Sequence, residues 1–269
     1  MALPGSDAEA AARKKKKKPE PTAVPRPPDP NRVTILTADG VRIAASWRPV
    51  PERPDAPAVL LLHDFSRERR DWDALAPEFT AHGFATLAID LRAHGESTRK
   101  NGAALVISPR QMSDPNGFPR DVEAAGRWLK EKAKKTGAVG LSLGGNLAIL
   151  ASAQGLVDAI VVVSSNAERL SPLAGGRSTA ARGVLFIAAE QAPQRAESAR
   201  ALFAAAAEPK KLLSVSGSAH NLVLFAEHPG TKEAMFAWLA ERLGAAPPPV
   251  PTPAPSPTPA PATPTPALK

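Results

Sequence analysis

A serine flanked by two glycines carries the clearest chemical signal in the sequence. Gly140, Ser142 and Gly144 form a Gly-x-Ser-x-Gly pattern, where a short apolar run ends and a helix of small residues over 147–153 begins. On a tight turn between a strand and a helix, such a serine projects its hydroxyl above the sheet edge as a nucleophile. The amide of Leu143 points to the same space from the helix N-terminus and would stabilise an oxyanion. Taken alone, the pattern also fits a chance occurrence in an Ala- and Gly-rich chain.

A serine nucleophile also needs a base. Its hydroxyl is barely ionised at neutral pH, and a third group must hold the base in one tautomer. Of the five histidines, His220 is the best placed, because it lies in a loop of small residues directly after the last predicted strand. His82 and His228 are interpreted as ordinary surface or core histidines. Ser142 and His220 together indicate acyl-transfer chemistry.

The hydrophobic pattern predicts the strands and helices that must position these groups. Segments 32–37 and 41–48 alternate around Asp39-Gly40, which predicts an antiparallel hairpin. Further strands are predicted in the run before Ser142 and over 58–62, 84–89, 159–163, 183–188 and 211–215. Helices are predicted over 71–82, 121–135, 147–153, 197–207 and 232–243, with a surface loop or short cap over 98–117.

The alternation of strands and helices predicts an α/β fold. We expect a mainly parallel sheet with an antiparallel N-terminal hairpin and helices on both faces. In such a sheet, ligands bind outside the carboxyl ends of the strands. His63, Ser142, the segment after Ala188 and His220 each follow a predicted strand. We therefore expect them to converge on one edge.

Three segments in this order carry a resemblance to a known family: LLLHDFSRERRDWDALAPEFTAHGFATLAIDLRAHGES, GLSLGGN and GSAHN. From about residue 33 to 243 the chain resembles the α/β-hydrolase fold family, in its dienelactone-hydrolase-like and carboxylesterase-like branch. The resemblance implies that Ser142 is the nucleophile and His220 the base, with the amides of Phe65 and Leu143 as oxyanion donors. It also implies a structural role for His94, in a His-Gly-x-Ser pattern.

Two positions depart from the pattern of that family. Its triad acid usually follows the strand at 183–188, in a pattern such as Gly-Glu-x-Asp-Pro, but this chain has Ala192 where the aspartate is expected. Glu190 on the same loop is the candidate replacement, with a solvated loop glutamate as the equal alternative, and Glu168 is a weaker substitute. Asp64 stands where a His-Gly-x turn is commoner. A carboxylate there opposes the charge that an oxyanion hole stabilises, unless it is neutral or points away; we do not assign Asp64 the triad role.

Composition separates a folding unit from two tails. Residues 1–30 form a basic, Pro-rich arm and residues 246–269 a Pro/Ala/Thr-rich tail, both predicted to be disordered, which leaves 31–245 as the α/β-hydrolase domain. The arm holds seven basic and four acidic side chains and the tail ends in Lys269, so half of the net charge of +8 lies in the tails. We expect weak contact of the arm with anionic surfaces. No aromatic residues interleave with its basic ones, so no specific nucleic-acid binding is expected.

Residue types that the chain lacks exclude several further classes of site. The absence of cysteine excludes disulfides, thiolate metal sites and a cysteine nucleophile. The sequence has no metal-ligand cluster and no phosphate-binding glycine loop with its lysine, so we expect no cofactor. Neither a signal peptide nor a transmembrane helix is recognised, and a cytoplasmic location is the default expectation.

The leading hypothesis is a serine hydrolase of small or medium carboxylic esters, with an acyl-enzyme on Ser142 and His220 as base. The short 98–117 loop argues against the large lid of many lipases. A rival hypothesis is a degenerate hydrolase fold that binds or scaffolds, motivated by Ala192 and the two tails. Acyl transfer to an acceptor other than water uses the same residues and stays open.

Overall fold

The computed structural model describes residues 27–245. The predicted tail over 246–269 and all but the last four residues of the predicted arm over 1–30 lie outside this range. The strands are β1 (Arg32–Leu36), β2 (Arg42–Arg48), β3 (Ala58–Leu62), β4 (Ala85–Ile89), β5 (Arg99–Lys100), β6 (Ala103–Ala104), β7 (Thr136–Leu141), β8 (Ala159–Val163), β9 (Val184–Ala189) and β10 (Lys210–Val215). The helices are α1 (Ala76–Ala81), α2 (Phe118–Lys132), α3 (Leu143–Ala153), α4 (Leu170–Ala174), α5 (Pro193–Ala205), α6 (Asn221–Glu227) and α7 (Gly230–Leu243). None of these helices is long and apolar enough to cross a membrane.

Eight of the strands form one sheet in the order β1-β2-β4-β3-β7-β8-β9-β10. The β1–β2 hairpin is antiparallel, and β2 is also antiparallel to β4. All the remaining neighbours run parallel. This confirms the predicted mainly parallel sheet with an antiparallel hairpin at its N-terminal edge.

Each face of the sheet carries its own apolar layer. Alternate residues of β3 point to opposite faces, so Leu60 and Leu62 pack in one layer while Val59 and Leu61 pack in the other. The first layer includes side chains of α2, α3, α4 and α5. The second includes side chains of α1, α6 and α7. The prediction of helices on both faces is therefore confirmed.

Several element boundaries differ from the sequence prediction for local reasons. The predicted helix over 71–82 is a 3-10 turn over Arg69–Trp72 followed by α1, which places Pro77 in its first turn, where a missing N–H costs nothing. The helix after Ser142 begins at Leu143, four residues earlier than predicted, because the turn is tighter than the sequence pattern indicated. Helix α6 was not predicted, and the predicted loop over 98–117 contains the β5–β6 hairpin and a 3-10 turn over Pro109–Ser113.

Two buried arginines anchor the loops at the carboxyl edge of the sheet. Arg69, in the segment after β3, pairs with the fully buried Asp90 that directly follows β4. Arg92 binds Asp121 of α2 at 2.7 Å and Asp39 of the hairpin turn at 3.0 Å. Buried charges are tolerated when paired in this way, and losing one partner is costly. The loops after β3 and β4 are therefore held in fixed positions.

Candidate active site

Ser142 lies on a strained turn between β7 and α3. Its backbone has φ 49° and ψ −107°, a conformation that residues other than glycine rarely adopt. A Cβ on Gly140 would overlap the carbonyl of Gly144, and a Cβ on Gly144 would overlap backbone carbonyls at the end of β3. The Ser142 amide donates to the carbonyl of Val163 at 2.9 Å, and its own carbonyl accepts from Ser165 Oγ at 2.9 Å. Neighbouring strands therefore hold this serine in place.

Two buried histidines fix the loop that follows β3. His63 Nδ1 donates to the Asp64 carbonyl at 2.6 Å, and His63 Nε2 accepts from the Leu91 amide at 3.0 Å. His94 Nε2 accepts from the Ser66 amide at 3.1 Å. Complete burial lowers the pKa of His63 to about 3, and burial also lowers the pKa of His94. Both rings are therefore neutral at pH 7 and act as supports for the loop, which is the kind of role expected for His94.

The amides of Phe65 and Leu143 converge on one oxygen, which belongs to Asp64. Asp64 Oδ1 accepts from the Phe65 amide at 2.7 Å and from the Leu143 amide at 3.3 Å. Its other oxygen accepts from Asn221 Nδ2 at 2.9 Å. The two amides expected to bind an oxyanion thus point to a common position. The Asp64 carboxylate points toward this position and occupies it.

His220 and Glu190 are not connected by a hydrogen bond. His220 is the exposed residue before α6, and within residues 27–245 its ring makes no hydrogen bond to Ser142 or Glu190. Glu190 is exposed, and its amide donates to the Val215 carbonyl while its carboxylate has no partner in the same part of the chain. Asn221, which directly follows His220, donates a hydrogen bond to Asp64. The His220 segment therefore lies at this edge of the sheet.

A cavity of about 230 Å³ opens beside Ser142, lined by residues that follow β3, β7, β8 and β9. The buried side chains of Asn146 and Ser164 line it, and Asn146 Oδ1 and Ser164 Oγ have no hydrogen-bond partner within residues 27–245. Ser164 also has φ 55°. Arg169 and Arg195 line the same cavity, and neither forms an ion pair with a described residue. The arrangement offers a polar space next to the serine, lined by two arginines and by Asp64.

Sequence reasoning missed these cavity residues, although one signal pointed to them. Ser164 directly follows β8, and Arg195 lies in the first turn of α5 after β9. Both positions satisfy the rule that ligands bind beyond the carboxyl ends of parallel strands. Among the described residues, no group of three His, Cys, Asp or Glu side chains is arranged to hold a metal ion.

Comparisons with known proteins agree with this architecture. The model of the alpha/beta hydrolase family matches residues 59–268. An esterase from Pyrococcus furiosus superposes with a TM-score of 0.62 at 18% identity, covering 79% of this chain and 91% of that chain. Dienelactone hydrolase from Anabaena variabilis superposes with a TM-score of 0.59 at 18% identity, covering 79% of this chain and 97% of that chain. At these identities the likeness to the solved structures concerns the fold.

A stretch of the chain is also similar to an enzyme of another name. Over 109 residues it is 34% identical to 2-succinyl-6-hydroxy-2,4-cyclohexadiene-1-carboxylate synthase from Salmonella agona, which covers 40% of this chain. The matched region spans only about 37% of the length of that curated relative.

Proposed function

The chain belongs to the alpha/beta hydrolase family, and from this premise we propose that it is a serine hydrolase of small or medium carboxylic esters. One observation carries the proposal: the Phe65 and Leu143 amides converge on a single anionic oxygen beside a serine on a strained turn. Preorganised donors of this kind stabilise the negative charge that develops during acyl transfer.

In the proposed reaction, Ser142 Oγ attacks the ester carbonyl and His220 accepts the serine proton. The tetrahedral oxyanion is bound by the amides of Phe65 and Leu143. Its collapse breaks the bond to the alcohol, which takes the proton from His220 and leaves an acyl-enzyme on Ser142. A water molecule, deprotonated by His220, then releases the acid and restores Ser142. Among residues 27–245 the His220 ring makes no hydrogen bond to Ser142, so the proposed reaction requires this bond to form in the first step.

The cavity beside Ser142 supports a substrate class. Its volume of about 230 Å³ corresponds to roughly eight water molecules, at about 30 Å³ each. An acid portion of a few carbons fits that space. Arg169 and Arg195 line it and form no ion pair with any residue of 27–245. We therefore propose that esters with a negatively charged acid portion are preferred over neutral ones.

A fluorophosphonate probe tests the nucleophile directly. We expect folded protein to be labelled on the peptide that contains Ser142, and Ser142→Ala to remove the label. Heat-denatured protein serves as the control, because labelling should require the folded turn. Failure of the folded protein to react, under conditions that label an authentic serine esterase, would contradict the proposal.

A second candidate function is a binding protein on a hydrolase fold. The observations that favour it are the Asp64 carboxylate between the two amides and the His220 ring, which has no hydrogen-bond partner within the described part of the chain. This candidate predicts that ester analogues bind equally well to the natural protein and to Ser142→Ala, with no turnover by either. Acyl transfer to another acceptor would appear as a transfer product when an alcohol or amine is added to the ester.

A further inference from the structure

The space where a substrate oxyanion would bind is filled by a side chain of the protein itself. Asp64 Oδ1 lies 2.7 Å from the Phe65 amide nitrogen and 3.3 Å from that of Leu143. Donors in an oxyanion hole lie about 2.7–3.1 Å from the oxyanion. A substrate oxygen and Asp64 Oδ1 therefore cannot occupy this position together.

The same carboxylate ties a second segment to the hole. Asp64 Oδ2 accepts from Asn221 Nδ2 at 2.9 Å, across 157 positions of sequence. Asn221 has φ 54°, and its buried Oδ1 has no hydrogen-bond partner among the residues that the structure describes. The contact with Asp64 is thus the hydrogen bond that holds this side chain. Because Asn221 follows His220 directly, Asp64 links the oxyanion hole to the residue proposed as the base.

We infer that Asp64 is an internal occupant of the oxyanion hole, which keeps the resting site closed until a substrate carbonyl displaces it. Its displacement breaks the bond to Asn221 and frees the segment of His220, so that filling of the hole and movement of the base are coupled. The inference rests on the proposed function and adds regulation of the same site. Arg169 and Arg195 line the cavity that Asp64 also lines, and their charge favours a carboxylate that has left the hole.

Three variants test this inference in the full-length protein. Asp64→Gly removes the occupant and restores the His-Gly-x turn common in the family. Asp64→Asn keeps the shape and removes the charge. Asp55→Gly, in an exposed turn, is the control for loss of an aspartate. Two quantities are measured for each protein: the rate constant of fluorophosphonate labelling at Ser142, and the amide NMR shifts of Phe65 and Leu143 during titration with formate.

We expect Asp64→Gly to be labelled at least about tenfold faster than the natural protein, since each accessible oxyanion donor is worth a factor of about 100 to 1,000 in rate. Formate should shift the Phe65 and Leu143 amides in this variant and slow its labelling, because it fills the vacated position. The natural protein and Asp55→Gly should show neither formate effect. Asp64→Asn should react at an intermediate rate.

Two results would overturn the inference. One is measurable labelling of Asp64→Gly that is no faster than labelling of the natural protein. The other is faster labelling without formate-dependent shifts, because the gain would then come from elsewhere. If Asp64→Gly does not fold, Asp64→Asn decides: a rate equal to or below the natural rate overturns the inference. Formate-dependent shifts in a protein that is never labelled would support occupancy of the hole and count against the proposed hydrolase instead.

Discussion

Ala192 stands where the resemblance to the family leads us to expect an aspartate, and in the structure it is also the residue before α5. Ala192 is the N-cap residue of α5, and its methyl side chain cannot accept a hydrogen bond from the first amides of the helix. An aspartate at this position would therefore do two things: cap the helix and offer a carboxylate near the loop of Glu190. Any experiment on this residue has to separate stability from chemistry.

We predict that Ala192→Asp and Ala192→Ser both raise the free energy of unfolding by about 1 kcal/mol, because both side chains cap helices well. Only Ala192→Asp should raise kcat for ester hydrolysis, by a factor that can approach about 10,000, the value of an orienting aspartate in a serine triad. Denaturant unfolding and steady-state kinetics measure the two effects. Equal kcat values for the two variants would show that the carboxylate has no catalytic effect here.

Glu190 stays the predicted replacement acid, and one variant examines it. If Glu190 orients His220 during turnover, Glu190→Gln should lower kcat by at least about tenfold, since the orienting group stabilises the imidazolium. Glu197→Gln, an exposed position on α5, is the matched control. An unchanged kcat in Glu190→Gln would leave it as a solvated loop residue.

Arg195 lines the cavity beside Ser142, and a single charge in that cavity can set the preference for charged or neutral substrates. We predict that Arg195→Gln raises KM for a monoester of a small dicarboxylic acid about tenfold, as expected for loss of a hydrogen bond to a charged group. KM for a neutral ester of the same length should change little. Arg200→Gln, exposed on the same helix, is the control. A uniform change for both esters would argue against recognition of charge.

At the scale of elements, the loop after β3 is positioned by neutral, buried histidines. His63 is fully buried between β3 and the segment after β4, and it bonds backbone groups on both sides. Because its pKa falls to about 3 in the folded protein, from about 6.5 in an unfolded chain, protons bind preferentially to the unfolded state between these values. The loop that carries Phe65 is therefore sensitive to acid.

We predict that the His63 contribution to stability is complete above about pH 6.5 and is lost as the pH falls toward 3. The loss amounts to about 2–3 kcal/mol between pH 6.5 and 4.5. His63→Gln should show a correspondingly flatter dependence of the free energy of unfolding on pH. His82→Gln, at an exposed ring stacked on Phe236, is the control for loss of a histidine. Denaturant unfolding across this range measures all three proteins, and equal slopes for His63→Gln and the natural protein would refute the assignment.

At the scale of the whole molecule, the described residues form a sheet covered by apolar layers on both faces. Helix α7 closes the second layer with the fully buried Met235 and Leu239. The division into an arm, a domain over 31–245 and a tail stays a prediction.

We predict that a 31–245 fragment unfolds with the free energy of the full chain, within about 0.5 kcal/mol, because the removed segments offer few large apolar side chains to bury. A 31–229 fragment, which lacks α7, should fail to fold cooperatively. Circular dichroism during denaturant unfolding distinguishes these outcomes. A clear loss of stability in the 31–245 fragment would show that a removed segment packs on the domain.

The sequence by itself determined the mainly parallel sheet and the turn at Ser142. These features depend on local patterns: the period of apolar residues, glycines two positions before and after a serine, and the ends of consecutive strands. Each of these patterns lies within a short segment of the chain, so local sequence was sufficient to predict the feature.

Only the tertiary structure decided what occupies and surrounds that turn. Asp64 meets Leu143 across 79 positions of sequence and Asn221 across 157, and no local pattern records such contacts. The same applies to Arg195 and Ser164, which reach the cavity because β8 and β9 end at one edge of the sheet. Side-chain placement across distant segments depends on packing of the whole domain, which is why local sequence patterns did not predict the carboxylate bound by the Phe65 and Leu143 amides.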